Sequence, residues 1–517
     1  MTKLKKILYD EIEDFREKGH KFLNGELNVM QFKHASGGFG VYAHRGGKEF
    51  MIRLRIPSGI TNLEEMKIIY EFAKKYGMER IHFTTRQAIQ FHGLSIDEVC
   101  DLMKEALDND IYTRGSGGNF PRNVAISPLS GVNTDEAFDV TPYAMAVGNY
   151  FLERIYTYKL PRKLKVSFSS SNADGAHCTV QDLGFLAVNK DGNEYFQVYL
   201  GGGLGQNPKI AVKYKELIDP KEVLYYVEGM VNLFIAEGNY ENRNKARVRY
   251  ILDRMGEEEF IACFKNHVDE VKAKGDLDLL NIKTKEYNKP GIETKIKSTR
   301  LFKQKQKGLY SVYLHPVGGQ LEVKDLKAIL DLVDKMSDVE FRLAMTEGIY
   351  FRNLNGKEAE ELLKLTEDMG GKTVFEQSVS CIGVPTCQVG LCNSQGTLKA
   401  ILDYFKEKNF TKDVLPRIYI SGCGNSCGVH QVGPIGFTGK KKRVNDEVCE
   451  CFSLYVDGSF AVNKTKLGDC YGDILASKIP EFLYELAVNI DKAELRYDEY
   501  IKSNNENFKN LVNKYLV

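Results

Sequence analysis

The sequence SCIGVPTC places Cys381 and Cys387 with five residues between them, and GCGNSCG places Cys423 and Cys427 with three between them. Thirty-five residues separate the two pairs, so two distant loops must converge if all four thiols are to act together. Four converging thiolates can hold a 4Fe–4S cluster or a tetrahedral zinc ion. Four unconnected buried thiols are the alternative, because cysteine is among the most buried residue types. The Gly and Pro turn residues beside each pair favour a metal site.

Composition limits the class of protein. A chain of 517 residues is too long for one ordinary core and predicts about two to four lobes. Its 43% hydrophobic and 27% charged residues are typical of a soluble globular protein, and a net charge of +1 indicates neither nucleic-acid nor membrane partners. The N-terminal MTKLKKILYDEIEDF lacks the apolar segment of a signal peptide, and no apolar run is long enough to span a bilayer. Eleven cysteines without a secretory signal favour metal or redox use in a reducing cytoplasm over disulfides.

The N-terminal part of the chain predicts helices and strands in alternation. Residues 1–35 have the pattern of a charged amphipathic helix and lead-in. The segment GVYAHRGGKEFMIRLRIPSG predicts two strands joined at Gly46 and Gly47. Thr61 is the expected N-cap of the next helix, with Glu64 three residues later. IHFTTRQAIQFHGL predicts a further strand.

The same order of elements returns about 260 residues later. GLYSVYLHPVGG, LEVKDLKAILDLVDKM and FRLAMTEGIYFRNL repeat strand, helix and strand, and they align Phe91 with Phe351 and Leu94 with Leu354. This internal duplication predicts two pseudo-symmetric halves with a shared cleft. The first copy carries TTRQ where the second has AMTE, so the chemistry of this segment is expected in the first half only.

The remaining segments have less specific patterns. Residues 115–290 predict an α/β unit with a hairpin turn at Asp191 and Gly192. Lys-rich residues 270–300 predict a surface connector. After the last cluster cysteine, PIGFTG and CFSLYVDG predict strands, and a helical region is expected from Gly472.

The cysteine spacing resembles that of the siroheme-dependent sulfite and nitrite reductases. C-x5-C followed by C-x3-C within GC-x-N-x-CG carries this resemblance, whereas structural zinc sites and the common bacterial ferredoxin run use two-residue gaps. The resemblance implies that Cys381, Cys387, Cys423 and Cys427 hold a 4Fe–4S cluster. It also implies that Cys427 bridges the cluster to the iron of a siroheme.

The resemblance also implies an architecture, because this family is itself built from a duplicated half. The expected fold is α+β, with duplicated pseudo-symmetric sulfite/nitrite reductase halves around a central siroheme cleft. The expected units are an N-terminal ferredoxin-like half-domain at 1–110, a siroheme- and substrate-binding α/β domain at 111–290, a second ferredoxin-like half-domain at 291–370, and a 4Fe–4S and siroheme-binding domain at 371–517.

The distribution of basic residues fits such a cofactor. Siroheme is rich in carboxylates, so its pocket needs several cationic donors, arginine above all. Residues two apart on a strand face the same way, so Arg53 with Arg55, and Lys163 with Lys165, each place two cations on one face. Singly, each such segment is typical of a solvated surface strand. Together, in segments rich in strand formers, they predict an anionic ligand, because buried charges persist only when paired.

Each basic segment also resembles a family motif, from MIRLRIPSG and TTRQAIQFH to FPRNV and LPRKLK. The resemblance implies that the catalytic, substrate-facing cations are Arg53, Arg122, Lys163 and Lys165. It implies cofactor-binding roles for Thr85, Arg86, Gln87, Gln90, His92, Asn123, Gly202, Gly203, Asn425 and Cys427. The chain departs from the family pattern at Gly424, at His430 and in FSLYVDG at 452–458, which affects the expected loop geometry and not the cluster ligands.

Three other assignments compete for the same residues. A dinucleotide-binding loop is excluded, because GGGLG at 201–205 does not fit G-x-G-x-x-G in any frame. A redox module without its own turnover would keep the cysteines but would not need all four substrate-facing cations. A zinc-stapled scaffold would keep the cysteines and bind no iron.

The resemblance implies a six-electron reduction of sulfite to sulfide or of nitrite to ammonia. Acid–base side chains cannot perform this reaction without a metallocofactor. Family members devoted to nitrite tend to have Asn at the second position of the K-x-K motif, so Lys165 favours sulfite. Nitrite reduction by the same site, or reduction of both anions, is the alternative.

The electron donor is expected to be a separate protein, a ferredoxin or a flavoprotein, because no second cysteine-rich ferredoxin segment is fused to the chain. The basic run Lys440–Arg443 follows the cluster cysteines and can dock an acidic donor. A solvated hairpin turn is the other explanation of this run.

Overall fold

The computed structural model describes residues 2–517 and contains fourteen α-helices and twenty β-strands in that range. The helices are α1 Lys3–Leu23, α2 Val29–Gly37, α3 Leu63–Lys75, α4 Ile96–Asp108, α5 Thr141–Glu153, α6 Val223–Glu237, α7 Val248–Met255, α8 Glu257–Lys272, α9 Val323–Val333, α10 Gly356–Leu365, α11 Ser394–Glu407, α12 Ile479–Ala493, α13 Tyr497–Ser503 and α14 Asn505–Tyr515. The strands are β1 Val41–Ala43, β2 Phe50–Leu54, β3 Ile60–Thr61, β4 Arg80–Phe83, β5 Ile89–Leu94, β6 Ala125–Ile126, β7 Val166–Ser169, β8 Leu183–Lys190, β9 Asn193–Leu200, β10 Val212–Ile218, β11 Leu301–Lys303, β12 Leu309–Leu314, β13 Gln320–Glu322, β14 Glu340–Leu343, β15 Ile349–Asn355, β16 Val379–Ser380, β17 Ile418–Ser421, β18 Ile435–Val444, β19 Glu447–Val456 and β20 Asp469–Leu475.

Two five-stranded antiparallel sheets carry the repeat seen in the sequence. Their strand orders are β1-β2-β5-β4-β13 and β11-β12-β15-β14-β3. Arg53 of β2 pairs with Gln90 of β5, and Tyr313 of β12 pairs with Tyr350 of β15. The step along the chain from Arg53 to Tyr313 equals the step from Gln90 to Tyr350, so the two sheets share one register. The predicted duplication is therefore confirmed.

The two copies exchange a strand. β3 of the first copy pairs with β14 of the second, and β13 of the second copy pairs with β4 of the first. A single hydrophobic core accordingly includes side chains from residues 8–111 and 310–362. The units expected at 1–110 and 291–370 thus share one hydrophobic core, which fixes their positions relative to each other.

The other two sheets are also copies of each other. β6, β7 and β8 are parallel and β8, β9 and β10 antiparallel, and β16 to β20 repeat this order. Val166 pairs with Leu183 in the first sheet, and Ile418 pairs with Ile435 in the second, so the two sheets again share one register. The sequence patterns did not predict this second duplication, because the two copies share few side chains.

Three local predictions are corrected. The N-cap of α3 is Asn62, whose side chain accepts from the Glu65 amide at 2.9 Å, and Thr61 lies in β3. IHFTTRQAIQFHGL is a hairpin and not one strand, because Gln87 adopts a positive φ of 53° and turns the chain between β4 and β5. Gly472 lies in β20, and the C-terminal helices begin at residue 479.

The charged segments also differ in part from expectation. The run Lys440–Arg443 lies on β18, and the hairpin turn comes after it. Its lysines are paired, Lys440 and Lys442 with Asp473 and Lys441 with Glu450. Within residues 2–517, no helix combines the length and the apolar character needed to cross a membrane.

Candidate active site and cofactor centre

Parallel strands bring the two cysteine loops to one edge of their sheet. β16 ends one residue before Cys381, and β17 ends two residues before Cys423. Because β16 and β17 are parallel, their carboxyl ends lie side by side and the loops that follow them meet. The Cys381 amide donates to the Ile420 carbonyl at 3.1 Å, and the Leu391 amide donates to the Gly422 carbonyl at 3.0 Å. The two cysteine loops are therefore joined by their backbones.

The four thiols are neighbours in space. Burial raises the pKa of Cys381, Cys387 and Cys423, and the Cys427 thiol lies close enough to raise the pKa of each further. A thiolate in this buried position needs bound metal to offset its charge. Within residues 2–517, no three His, Cys, Asp or Glu side chains are grouped tightly enough to hold one metal ion, as a zinc scaffold would require.

N–H donors are aimed at two of the sulfurs. The Gly422 amide donates to Cys381 Sγ at 3.1 Å, and the Asn425 side-chain amide donates to Cys423 Sγ at 3.4 Å. Hydrogen bonds of this kind stabilise the reduced form of an iron–sulfur cluster and adjust its potential. Four converging thiols with N–H donors around them fit a 4Fe–4S cluster.

Segments from the first half direct cations toward Cys427. Desolvation lowers the pKa of Arg53, Lys163 and Lys165, the last to about 7, and the nearby Cys427 thiol opposes the shift at all three. Desolvation also lowers the pKa of Arg122 to about 10, and Arg53 is among the cations acting on it. Among residues 2–517, none of these four cations has a carboxylate within 4.0 Å. They form an uncompensated cluster, which requires an anionic ligand.

The turn between β4 and β5 connects this cluster to the cysteine loop. Thr85 Oγ1 donates to the Cys427 carbonyl at 2.8 Å. The Gln87 amide is buried and donates to the backbone carbonyls of β6 and β14. Arg86 donates to protein acceptors, namely the carbonyls of Asn123 (2.9 Å) and Val166 (2.7 Å) and Oε1 of Gln181 (3.1 Å). Thr85 joins the two halves, while Arg86 and Gln87 hold the turn in place, and their contacts with a cofactor stay predictions.

Gln90 positions Arg53, one of the arginines predicted to face the substrate. With its carboxamide assigned the orientation that satisfies its neighbours, the Gln90 oxygen accepts from Arg53 Nη2 at 2.6 Å and from Nε at 3.0 Å, and its nitrogen donates to His82 Nδ1 at 2.9 Å. His92 Nδ1 lies 3.2 Å from His44 Nε2, so a histidine pair continues this network away from Arg53. Desolvation lowers the pKa of both His44 and His92, and their imidazoles are neutral near pH 7.

Asn123, Gly202 and Gly203, which were also expected to bind the cofactor, have clear roles in the packing of the backbone. Asn123 donates to the Ile56 carbonyl at 2.7 Å and accepts from the Ser58 amide. A Cβ on Gly202 would lie 2.8 Å from the Gln181 carbonyl, and one on Gly203 would lie 3.0 Å from Arg249 Nη1. These glycines are needed because neighbouring groups approach the backbone closely.

The structure adds residues that the sequence reasoning missed. Arg247 is buried against Asp182, with guanidinium–carboxylate distances of 2.8 and 3.0 Å, and the same carboxylate accepts from the Lys165 amide at 2.8 Å. Charge on Arg247 lowers the pKa of both Lys163 and Lys165, so Arg247 belongs to the cationic cluster. The motif ARVR, which contains Arg247, could have indicated this residue from the sequence, because it has the same R-x-R spacing as Arg53 and Arg55.

Several guanidinium groups keep donors without acceptors. Buried nitrogens of Arg55 (Nη1 and Nη2), Arg122 (Nε) and Arg249 (Nη1) have no hydrogen-bond partner among residues 2–517. Leaving such groups unpaired is costly, so an anionic ligand with several acceptors fits here. A carboxylate-rich macrocycle such as siroheme has this chemistry, and the residues present fit it.

Comparison with known proteins agrees with this geometry. A model described as the nitrite and sulphite reductase 4Fe-4S domain matches residues 117–272. A model described as the nitrite/sulfite reductase ferredoxin-like half domain matches twice, at 42–109 and 302–369. The chain belongs to the nitrite and sulfite reductase family. The family's α+β fold, its oxidoreductase chemistry and its cofactors, siroheme and a 4Fe–4S cluster, are those that the resemblance of the cysteine motifs implied. The four cysteines themselves lie outside the matched ranges, in the second copy of the 117–272 unit.

Similar members of the family reduce either anion by name. The assimilatory ferredoxin-dependent nitrite reductase of Haloferax mediterranei is 24% identical over 91% of this chain and 84% of its own length. The sulfite reductase (NADPH) hemoprotein beta-component of Bacillus subtilis is 26% identical over 76% of this chain and 74% of its own. The solved structure of the Mycobacterium tuberculosis NirA protein matches with a TM-score of 0.74 and 20% identity, covering 88% of this chain and 86% of that one. The last match shows the shared fold.

Proposed function

We propose that this reductase converts sulfite to sulfide, with nitrite reduction to ammonia as the second candidate. The proposal assigns Arg53, Arg122, Lys163 and Lys165 to the substrate anion. It assigns the four cysteines to the cluster, with Cys427 shared between cluster and siroheme. In this proposal the domain expected at 111–290 contributes the two lysines, and the domain expected at 371–517 contributes the four cysteines.

The charge of the site carries the choice of substrate. Lys165 is a fourth basic group beside Arg53, Arg122 and Lys163. Among residues 2–517 none of the four has a carboxylate within 4.0 Å, and Asp182, which is paired with Arg247, offsets Lys165 only in part. A dianion gains more from four cations than a monoanion does, because the Coulomb energy scales with the product of the charges. This favours sulfite over nitrite, while relatives named for both anions keep nitrite as the alternative.

The chain's own residues have three tasks in this reaction. Arg53 and Arg122 orient the anion through directed N–H donors, and Gln90 fixes the Arg53 guanidinium. Lys165, whose pKa desolvation lowers to about 7, can hold a proton at Nζ and release it at neutral pH. Asp182 holds the Lys165 backbone in place. Siroheme and the cluster, when bound, supply the iron that ligates the anion and the electrons that reduce it.

The electron donor in this proposal is a separate ferredoxin or flavoprotein. One relative is named ferredoxin-dependent, and another carries NADPH in its name. The lysines of the run Lys440–Arg443 are about 40% exposed. Asp473 and Glu450 offset two of the four positive charges of the run, so its electrostatic field at a donor protein is weak. Replacing all four basic residues with Gln should raise the KM for an acidic ferredoxin about twofold to threefold at low salt. An unchanged KM and unchanged salt dependence would place the docking surface elsewhere.

The proposed function is tested on protein purified without oxygen. Its visible spectrum should be that of an iron isobacteriochlorin, and turnover of sulfite and of nitrite is then measured with a reduced viologen dye. Higher kcat/KM for sulfite supports the proposal. The same spectrum with nitrite alone reduced would establish the second candidate, and a protein that stays colourless after iron, sulfide and siroheme are supplied would refute both.

A further inference from the structure

A cavity of about 430 Å3 lies behind the loop that carries Arg122. Its walls come from α2, from the loop at 114–120, and from the segments at 158–160 and 240–243. Its aromatic and aliphatic walls are formed by Phe39, Phe120, Tyr158, Leu160 and Tyr240.

Only one sign of charge lines this cavity. Its charged or basic wall residues are Lys33, His34, Arg114, Lys159 and Arg243, and no Asp or Glu lines it. Arg114 is not free to bind a ligand, because Glu11 pairs with it at 2.9 Å and its guanidinium lies over two phenylalanine rings. Lys33, Lys159 and Arg243 have no carboxylate within 4.0 Å among residues 2–517. The cavity therefore carries an uncompensated positive field.

The cavity is next to the substrate-facing cations. Gly118 lines the cavity, and its carbonyl accepts from Arg122 Nη2 at 2.8 Å on the other side of the loop. Arg162 continues the link: desolvation lowers its pKa to about 10, and Arg243 on the cavity side and Arg247 on the cleft side both act on it. A line of cations thus runs from the cavity wall through Arg162 to the cleft.

We propose that this cavity is an entry vestibule that collects the oxyanion substrate from solvent and delivers it to Arg122 behind Gly118. The inference rests on the proposed function and adds a step to it. A sulfite or nitrite ion fills only a small part of 430 Å3, so it stays hydrated there and is concentrated by the field of Lys33, Lys159 and Arg243. A charged concave surface of this kind raises the association rate of a counter-ion, and salt removes the effect.

The test compares two double variants of the cofactor-loaded enzyme. Lys159→Gln with Arg243→Gln removes two vestibule charges. Lys406→Gln with Lys502→Gln removes two charges from exposed lysines of α11 and α13 and is the matched control. The vestibule variant should lose about threefold to tenfold in kcat/KM for the oxyanion at low ionic strength, with kcat changed less than twofold. The loss should shrink at about 0.3 M salt, where the Debye length is only a few ångströms.

Charge-conserving variants exclude a purely structural effect. Lys159→Arg with Arg243→Lys should keep kcat/KM within about twofold of the unaltered enzyme. A second readout needs no turnover: crystals soaked in bromide should show anomalous density beside Lys159 and Arg243 in the unaltered protein and not in the vestibule variant.

The outcomes separate this inference from the proposed function. A vestibule variant that matches the control at every salt concentration, or bromide density unaffected by the two substitutions, would overturn the vestibule. An unaltered holoenzyme that reduces neither sulfite nor nitrite would overturn the proposed function, while the bromide result still decides whether the cavity gathers anions.

Discussion

The cleft at Arg53 and its pseudo-symmetric counterpart have the same backbone and opposite chemistry. In the first, Arg53 pairs with Gln90 across two strands, and Lys165 precedes β7. In the second, Tyr313 pairs with Tyr350, and Arg417 precedes β17. The tyrosine rings lie 4.5 Å apart and close the second location with aromatic packing.

The difference lies in how charge is satisfied. Burial opposes the charge of Arg417, but the surrounding tyrosines 313, 419 and 350 raise its pKa, and its guanidinium donates to the Gln377 carbonyl at 2.7 Å. At Lys165, Asp182 and Cys427 oppose the effect of burial and of the neighbouring arginines only in part, and its pKa falls to about 7. The guanidinium of Arg417 therefore finds hydrogen-bond acceptors within the protein, on the Gln377 carbonyl and side chain, while the cations of the first copy keep an excess of positive charge that suits an anionic ligand. Duplication supplied two locations, and side-chain replacement left one able to bind anions.

The largest effect is expected at the cysteine loop. Cys423 corresponds to Ser171 of the first copy, because each is the second residue after its strand, β17 or β7. Cys423→Ala should abolish turnover and lower iron and acid-labile sulfide per chain, because a cluster ligand is lost. Ser171→Ala should leave both metal content and turnover unchanged. Equal iron content in the two variants would show that Cys423 is not a cluster ligand.

The next effect compares Arg53 with Tyr313. Arg53→Gln should lower kcat/KM by about two orders of magnitude, since it removes a charged donor from the bound anion. Tyr313→Phe loses the 2.7 Å hydrogen bond to Thr346 and should cost about 1 kcal/mol of unfolding free energy with turnover unaffected. Steady-state kinetics and urea unfolding measure the two quantities. Comparable losses of turnover would contradict the assignment of a single active cleft.

A smaller effect is expected on substrate choice. Lys165→Asn should lower the ratio of sulfite to nitrite kcat/KM about tenfold, because a dianion loses more than a monoanion when one cation is removed. Arg417→Gln should leave this ratio unchanged while lowering the thermal midpoint. An unchanged ratio in Lys165→Asn would remove the argument for sulfite.

The last comparison concerns the stability of the cofactor-free protein and its dependence on pH, with no effect on turnover involved. Lys165 has a folded pKa of about 7, below the ordinary 10.5, so the unfolded chain binds more protons between these values. Stability should therefore rise as pH increases from about 7 to 10.5, with the full penalty present below pH 7. Removing this penalty with Lys165→Met should stabilise the cofactor-free protein by roughly 4 kcal/mol at pH 7, and by less than about 1 kcal/mol near pH 10.

Arg417→Met is the matched control for this last prediction, because the pKa of Arg417 is raised and not lowered. It should destabilise the protein by a similar amount at both pH values. A pH-independent effect of Lys165→Met would show that the lysine is neutral or paired over the whole range.

The sequence by itself determined the family to which this protein belongs, through motifs that resemble those of the nitrite and sulfite reductases. The cysteine spacing, the internal repeat and the basic motifs are all patterns of residue types, and together they indicated the family, its cofactors and Arg53, Arg122, Lys163 and Lys165 as candidates. Such patterns can be recognised from sequence because each consists of particular residue types at fixed spacings along the chain.

Tertiary structure alone decided which groups meet. The strand exchange, the second duplication, the Asp182–Arg247 pair and the bond from Thr85 to Cys427 all join residues far apart in the chain. No local pattern states which partner a buried cation will find. Whether a charge is paired, as at Arg417, or left for a ligand, as at Lys165, depends on neighbours that only the folded chain brings within reach.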